Sequence, residues 1–146
     1  MSVIDRRQIA SMIPHGGAMC LLDAVLSWDL LSVRCLSRRY RCPDNPLRRA
    51  DGRMGTACGL EVAAQAMAVH GRLVAAGGGL PAPGYLASVR DLWLRTARSD
   101  GVEDDLIVAA ERLAGDAQGA IYRFVVTSGD IELLSGRATV LFGRRE

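Results

Sequence analysis

Residues 56–76, TACGLEVAAQAMAVHGRLVAA, are apolar almost all the way round a helix. They show no strand-like alternation, and Ala, Leu, Met and Gln favour helix. Alanine stands at 57, 63, 64, 66, 68, 75 and 76, so the segment has almost no polar face to turn to water. A helix of that kind must be enclosed on most sides, and its small side chains suit backbone packed close around it. Gly77-Gly78-Gly79 stops it, and Pro81 and Pro83 prevent its resumption. The rest of the chain therefore has to supply a wrapper.

The remaining residues read as that wrapper. Ser2 or Asp5 caps a short helix reaching about Met12, with Ile4, Ile9 and Met12 on one stripe; Pro14 ends it. His15-Gly16-Gly17 reads as a loop. Met19–Trp28 and Ser32–Arg41 read as strands with a turn near Asp29, and 42–55, dense in Pro, Asp, Asn and Gly, as a long loop. After the central helix come four more strands, Tyr85–Ala97, Asp105–Leu113, Gly119–Ser128 and Ile131–Phe142, joined by SDGVED, AGDAQG and SGD. Consecutive hairpins imply an antiparallel sheet, and curling it around the helix is the simplest way to bury that helix. The expectation is an α+β chain forming one domain over 1–146 with the hotdog arrangement.

Composition excludes several classes. The chain has 146 residues, 49% of them apolar, which suits one folded domain. Glu61 and Gln65 interrupt the most hydrophobic stretch, so no run approaches the ~18 residues of a membrane span. The N-terminus lacks an apolar core of a secretory signal, and the expected location is the cytoplasm. The four cysteines, at 20, 35, 42 and 58, form no CxxC pair, and two histidines make no zinc constellation, so reduced thiols and no metal are expected. Cys58 lies close to Glu61 in sequence, but nothing nearby marks it as a nucleophile. A net charge of +2 carries no nucleic-acid signature. All 18 basic residues are arginine, whose planar fork suits phosphate and carboxylate. Arg38-Arg39, Arg48-Arg49 and Arg144-Arg145 are candidate docking pairs for an acidic partner, although a solvated face is the default for any one of them.

Few residues are placed for chemistry. Glu61 falls in the first turns of the enclosed helix, where desolvation favours a protonated general acid and the helix N-terminus favours the carboxylate. The alternative is a rim carboxylate that simply favours the dipole. Gln65, four residues on, projects from the same face and is read either as positioning Glu61 or a water, or as satisfied by a nearby backbone carbonyl. His15, a loop histidine beside two glycines, is a natural base for a proton next to a thioester carbonyl, or ordinary surface. His70, nine residues after Glu61, points well away from it and reads as structural. Asp23 reads as a cap or ion-pair partner.

Two motifs together resemble the FabA/FabZ-type 3-hydroxyacyl-acyl-carrier-protein dehydratases: IPHGGAMCLLDAVLSWD (13–29) and GLEVAAQA (59–66). NPLRRADGRM (45–54), GYLASVR (84–90) and GRATVLF (136–142) look like the aryl-polyene, ApeP-like branch. The resemblance implies a double-hotdog dimer, or a higher homo-oligomer, with His15 of one protomer facing Glu61 of the other across an acyl tunnel. It implies that His15 takes the C2 proton and Glu61 protonates the departing hydroxyl. Backbone N–H groups around Thr56, Ala57 and Gly59 would hold the thioester oxygen, with Gln65 beside them. The substrate rides on the phosphopantetheine of acyl carrier protein, the expected partner, and no cofactor is required. The chain departs from the fatty-acid enzymes at Gly55-Thr56, where they have Pro-Gly, and at Gly16-Gly17-Ala18, where they carry a Pro. A hotdog thioesterase and a non-catalytic carrier-binding partner are the competing readings.

Overall fold

The computed structural model describes residues 4–12, 20–38, 59–75, 84–95, 105–116, 118–129 and 131–142. Chain order begins with β1 (Ile4–Asp5) and α1 (Arg6–Ala10), then β2 (Ala24–Trp28) and β3 (Ser32–Ser37). The long helix α2 (Gly59–Ala75) follows, and β4 (Gly84–Leu94), β5 (Leu106–Gly115), β6 (Gly119–Ser128) and β7 (Ile131–Phe142) complete it. The strands form one seven-stranded antiparallel sheet in the order β1-β2-β3-β5-β6-β7-β4. It curls around α2, which is buried along most of its length: Val62, Ala63, Ala66, Met67 and Val69 are fully inaccessible. The wrapper inferred from the alanine-rich segment is therefore this sheet.

The strands alternate as a curled sheet with one buried face requires. On β6, Ala120, Tyr122, Phe124 and Val126 point to the helix, while Ile121 and Arg123 point outward. Asp29 shapes the β2–β3 turn, its Oδ1 accepting from the N–H groups of Leu31 and Ser32, both at 2.8 Å, and these bonds hold its carboxyl below the usual range. Asp116 shapes the β5–β6 turn, its Oδ1 accepting from the N–H groups of Gln118 and Gly119. β6 and β7 have the bounds expected of them, since tight turns bracket both.

Other expectations need correction. The sheet has seven strands, not six, because Ile4 and Asp5 pair with Val25 and Ala24 ahead of α1. Asp5, not Ser2, caps α1, in a reciprocal box with Gln8, and the helix ends at Ala10 instead of Met12. The first expected strand begins at Ala24 and not Met19, since residues 20–23 bond to side chains as well as to neighbouring backbone. β3 ends at Ser37, and β4 at Leu94 and not Ala97; β5 begins at Leu106 and runs to Gly115 instead of Leu113. Among the described residues, no helix is long and apolar enough to cross a membrane, and no group of three or more His, Cys, Asp or Glu could hold a metal ion.

Candidate functional site

The site is built from the first turns of α2 and the segment that leads into β2. Glu61 lies in the first turn, half-buried. Gln65, one turn later, is 3% exposed. Its amide does two jobs. Oε1 accepts from the Leu21 N–H at 2.9 Å, and Nε2 donates to Glu61 Oε1 at 3.3 Å. The backbone donor at Leu21 fixes which end of the amide is oxygen, and so fixes that the nitrogen faces the glutamate. The backbone group that this amide oxygen meets is the Leu21 N–H, and the amide nitrogen meets Glu61.

Residues 20–23 are held from several directions. The Arg6 guanidinium donates to the Cys20 carbonyl at 3.1 Å, and Ser37 Oγ donates to the buried Leu21 carbonyl at 2.6 Å. Asp23 N–H bonds the Leu36 carbonyl at 2.8 Å, while the Asp23 carboxylate accepts from the Arg38 N–H at 2.5 Å. With Cys20, Leu21 and Leu22 fully inaccessible, this short stretch is a fixed anchor against the helix face that carries Glu61. Asp23, expected as a cap or ion-pair partner, caps the backbone N–H of Arg38 at the end of β3. The pinning of Leu21 by Gln65 and Ser37 carries no local sequence signal, since these partners lie 44 and 16 positions away.

His70 lies elsewhere. Its Nε2 is 2.8 Å from the Asp29 carbonyl and its Nδ1 2.7 Å from Tyr122 Oη. A carbonyl only accepts, so Nε2 carries the proton and Nδ1 accepts from the tyrosine hydroxyl. Burial holds the imidazole below its ordinary pKa, opposed by the Asp29 carbonyl, and pushes the Tyr122 hydroxyl up to about 12. The ring is a neutral pin joining α2 to β6 and the β2–β3 turn, a structural role away from Glu61. Of the other candidates, Gly59 is buried at the start of α2. His15, Thr56, Ala57, Cys42 and Cys58 lie outside the described residues, as do Arg39, Arg48, Arg49, Arg144 and Arg145. Arg38 is exposed, 3.6 Å from Asp105.

A family model described as the ApeP dehydratases, ApeP-like, matches residues 7–144. The chain belongs to the ApeP-like dehydratase family. Among solved structures it is similar to the dehydratase heterocomplex ApeI:P from Xenorhabdus doucetiae, with TM-score 0.80, 19% identity, and coverage of 94% of this chain and 91% of that one. It is also similar in fold to a mutant thioesterase from Pseudomonas aeruginosa, with TM-score 0.65, 9% identity, and coverage of 95% and 94%. A thioesterase from Haemophilus influenzae gives TM-score 0.63, 7% identity, and coverage of 97% and 92%. No curated protein matches the sequence. Together with the curled sheet and central helix, these likenesses establish the hotdog fold of this ApeP-like dehydratase.

Proposed function

We propose that the chain catalyses the reversible dehydration of (3R)-3-hydroxyacyl thioesters on acyl carrier protein to trans-2-enoyl thioesters, in fatty-acid or polyene-type synthesis. One observation carries the reading beyond family membership. A half-buried acid at the start of an enclosed helix is held by Gln65, and Gln65 also holds the segment that begins five residues after His15. In this scheme His15 removes the C2 proton, Glu61 donates a proton to the C3 hydroxyl, the C3–O bond breaks and water leaves with the new C2=C3 double bond behind it. Backbone N–H groups at Thr56, Ala57 and Gly59 hold the thioester oxygen as negative charge develops there. Acid, base and backbone donors suffice for this balance, so no cofactor is called for.

The site is shared between protomers in this proposal. β4 is one of the two edge strands of the sheet, eleven residues long, and among the described residues nothing pairs with its free edge. A long open edge is a template for a second strand, and a second copy pairing there makes one continuous sheet. His15 of one protomer then faces Glu61 of the other. The heterocomplex from X. doucetiae raises a second dehydratase chain as an alternative partner for the same edge.

Likeness in fold to the two thioesterases favours a second reading, in which Glu61 activates water and the thioester is cleaved. One assay separates the readings. The protein is given a trans-2-enoyl pantetheine thioester and the same acyl group on carrier protein, while enoyl absorbance and free thiol are followed in parallel. The proposal requires loss of the enoyl signal without thiol. Thiol release in step with substrate loss means a thioesterase, and carrier binding without either signal means a non-catalytic partner.

A further inference from the structure

The register of the sheet places three arginines side by side on its outer face. Arg90 on β4 lies opposite Arg137 on β7, and Arg137 lies opposite Arg123 on β6. All three are exposed, while Val89 and Ala138 beside them in the chain turn to the core. Like charges directly across strands oppose each other, so this row costs the isolated sheet stability. Glu111 compensates only Arg123, at 3.8 Å between exposed side chains. Arg90 and Arg137 have no ion pair among the described residues, and Asp91, beside Arg90 in a groove that Arg137 also lines, offsets one charge at most. One step along the face, Trp93 stands opposite Ser135 and in line with Val125, 64% exposed. Trp93, Val125, Arg123 and Arg137 line a groove of about 390 Å³ together with Asp91 and Glu132, and Glu132 is already paired with Arg95 at 2.8 Å. Exposed Trp beside unpaired Arg is the composition of an interface anchor.

We propose that this face, Arg90, Arg137 and Arg123 with Trp93, is the docking surface for the acidic carrier protein, an inference that rests on the dehydratase reading above. The sign of the row favours a carboxylate-rich partner. A second copy presenting the same face would set arginine against arginine, and three charges on a chain of net +2 are too small a footprint for nucleic acid. Position favours the carrier too. Leu94 pairs with Leu134 near the start of β7, Ile131 with Ser128, Ser128 with Leu106, and Leu106 with Ser37. Ser37 bonds Leu21, and Leu21 bonds Gln65. The Trp93 end of β4 therefore lies at the same end of the strands as Ser37 and Leu21, the segment that Gln65 ties to Glu61, and a flexible arm from a carrier seated on the row has that rim to cross.

The test uses the full chain and its Arg90→Glu/Arg137→Glu double variant, with folding checked by circular dichroism and Arg90→Gln/Arg137→Gln held as the milder pair. Binding is titrated with apo-carrier, which lacks the arm, and turnover is measured on enoyl-carrier and on enoyl-pantetheine. The expected result is apo-carrier binding weakened about tenfold or more in the charge-reversed variant, with the ratio of kcat/KM for carrier over pantetheine falling by a similar factor and a shallower salt dependence. Absence of apo-carrier binding by the wild type, equal binding by the variant, or an unchanged ratio overturns the docking surface. Arginine-dependent binding of apo-carrier with no turnover of either thioester leaves the surface standing and overturns the dehydratase reading instead.

Discussion

Gln65→Leu removes one amide and leaves a shape of similar volume, so its effect isolates the hydrogen bonds. Leu21 N–H is fully buried and loses its acceptor at 2.9 Å. A buried backbone donor left without a partner costs about 1–3 kcal/mol. The longer bond to half-buried Glu61, at 3.3 Å, adds little to stability because water can replace it. At about 2–4 °C per kcal/mol for a chain of this size, the midpoint should fall by roughly 2–12 °C in thermal unfolding followed by circular dichroism. Gln65→Glu separates the two roles. Its carboxylate still accepts from Leu21, but it sets a second negative charge against Glu61, and the pair can be relieved by sharing a proton. Its deficit relative to wild type should therefore be largest at pH 7 and shrink toward pH 5. Wild-type stability in Gln65→Leu, or a pH-independent deficit in Gln65→Glu, would refute the claim that this amide ties Glu61 to the Leu21 segment.

Burial lowers the His70 pKa below its ordinary 6.5, so the unfolded chain takes up a proton before the folded one does. The resulting stability is intact above about pH 6.5 and drains away as pH falls toward the depressed value, at up to about 1.4 kcal/mol per pH unit, and His70→Gln should flatten that part of the curve of midpoint against pH. Cys35 is fully inaccessible, and burial pushes its thiol up to about 12, so a chromogenic disulfide reagent should leave it unmodified in the native protein and label it once denaturant is added. Gly136→Ala should destabilise by about 1–3 kcal/mol in denaturant unfolding, because a Cβ there would lie 3.1 Å from the Phe124 ring and 3.3 Å from the Arg90 carbonyl at the β4 bulge.

What could be read from the sequence was whatever local pattern determines. An alanine-rich helix with no polar face forces a wrapper, and Asp29, Asp116 and Gly129 mark turns through chemistry confined to a few neighbours. β1 was missed because two residues carry no period, and their pairing partners Val25 and Ala24 lie about twenty positions on. Residues 20–23 look like the first half of a strand, yet their backbone answers to Arg6, Ser37 and Gln65, the last of them 44 positions away. His70 was correctly set apart from Glu61 by helical geometry, but its partners Tyr122 and Asp29 lie 52 and 41 positions away and follow only from the fold. Adjacent arginine pairs are visible in the sequence, whereas the row Arg90–Arg137–Arg123 exists only once the strand order and register are known. The acid and its glutamine were visible because the helix sets them four residues apart; what holds the glutamine was not.

The proposal that two protomers share an acid–base site is tested most directly by mixing two variants expected to be inactive. His15→Ala and Glu61→Gln, each assayed alone for hydration of a trans-2-enoyl pantetheine thioester, should be inactive, and unfolding and reassociating them in equal amounts should restore about a quarter of wild-type activity, since half of the dimers are mixed and each carries one intact pair. No recovery in dimers shown to be mixed, or substantial activity in either variant alone, would contradict the account.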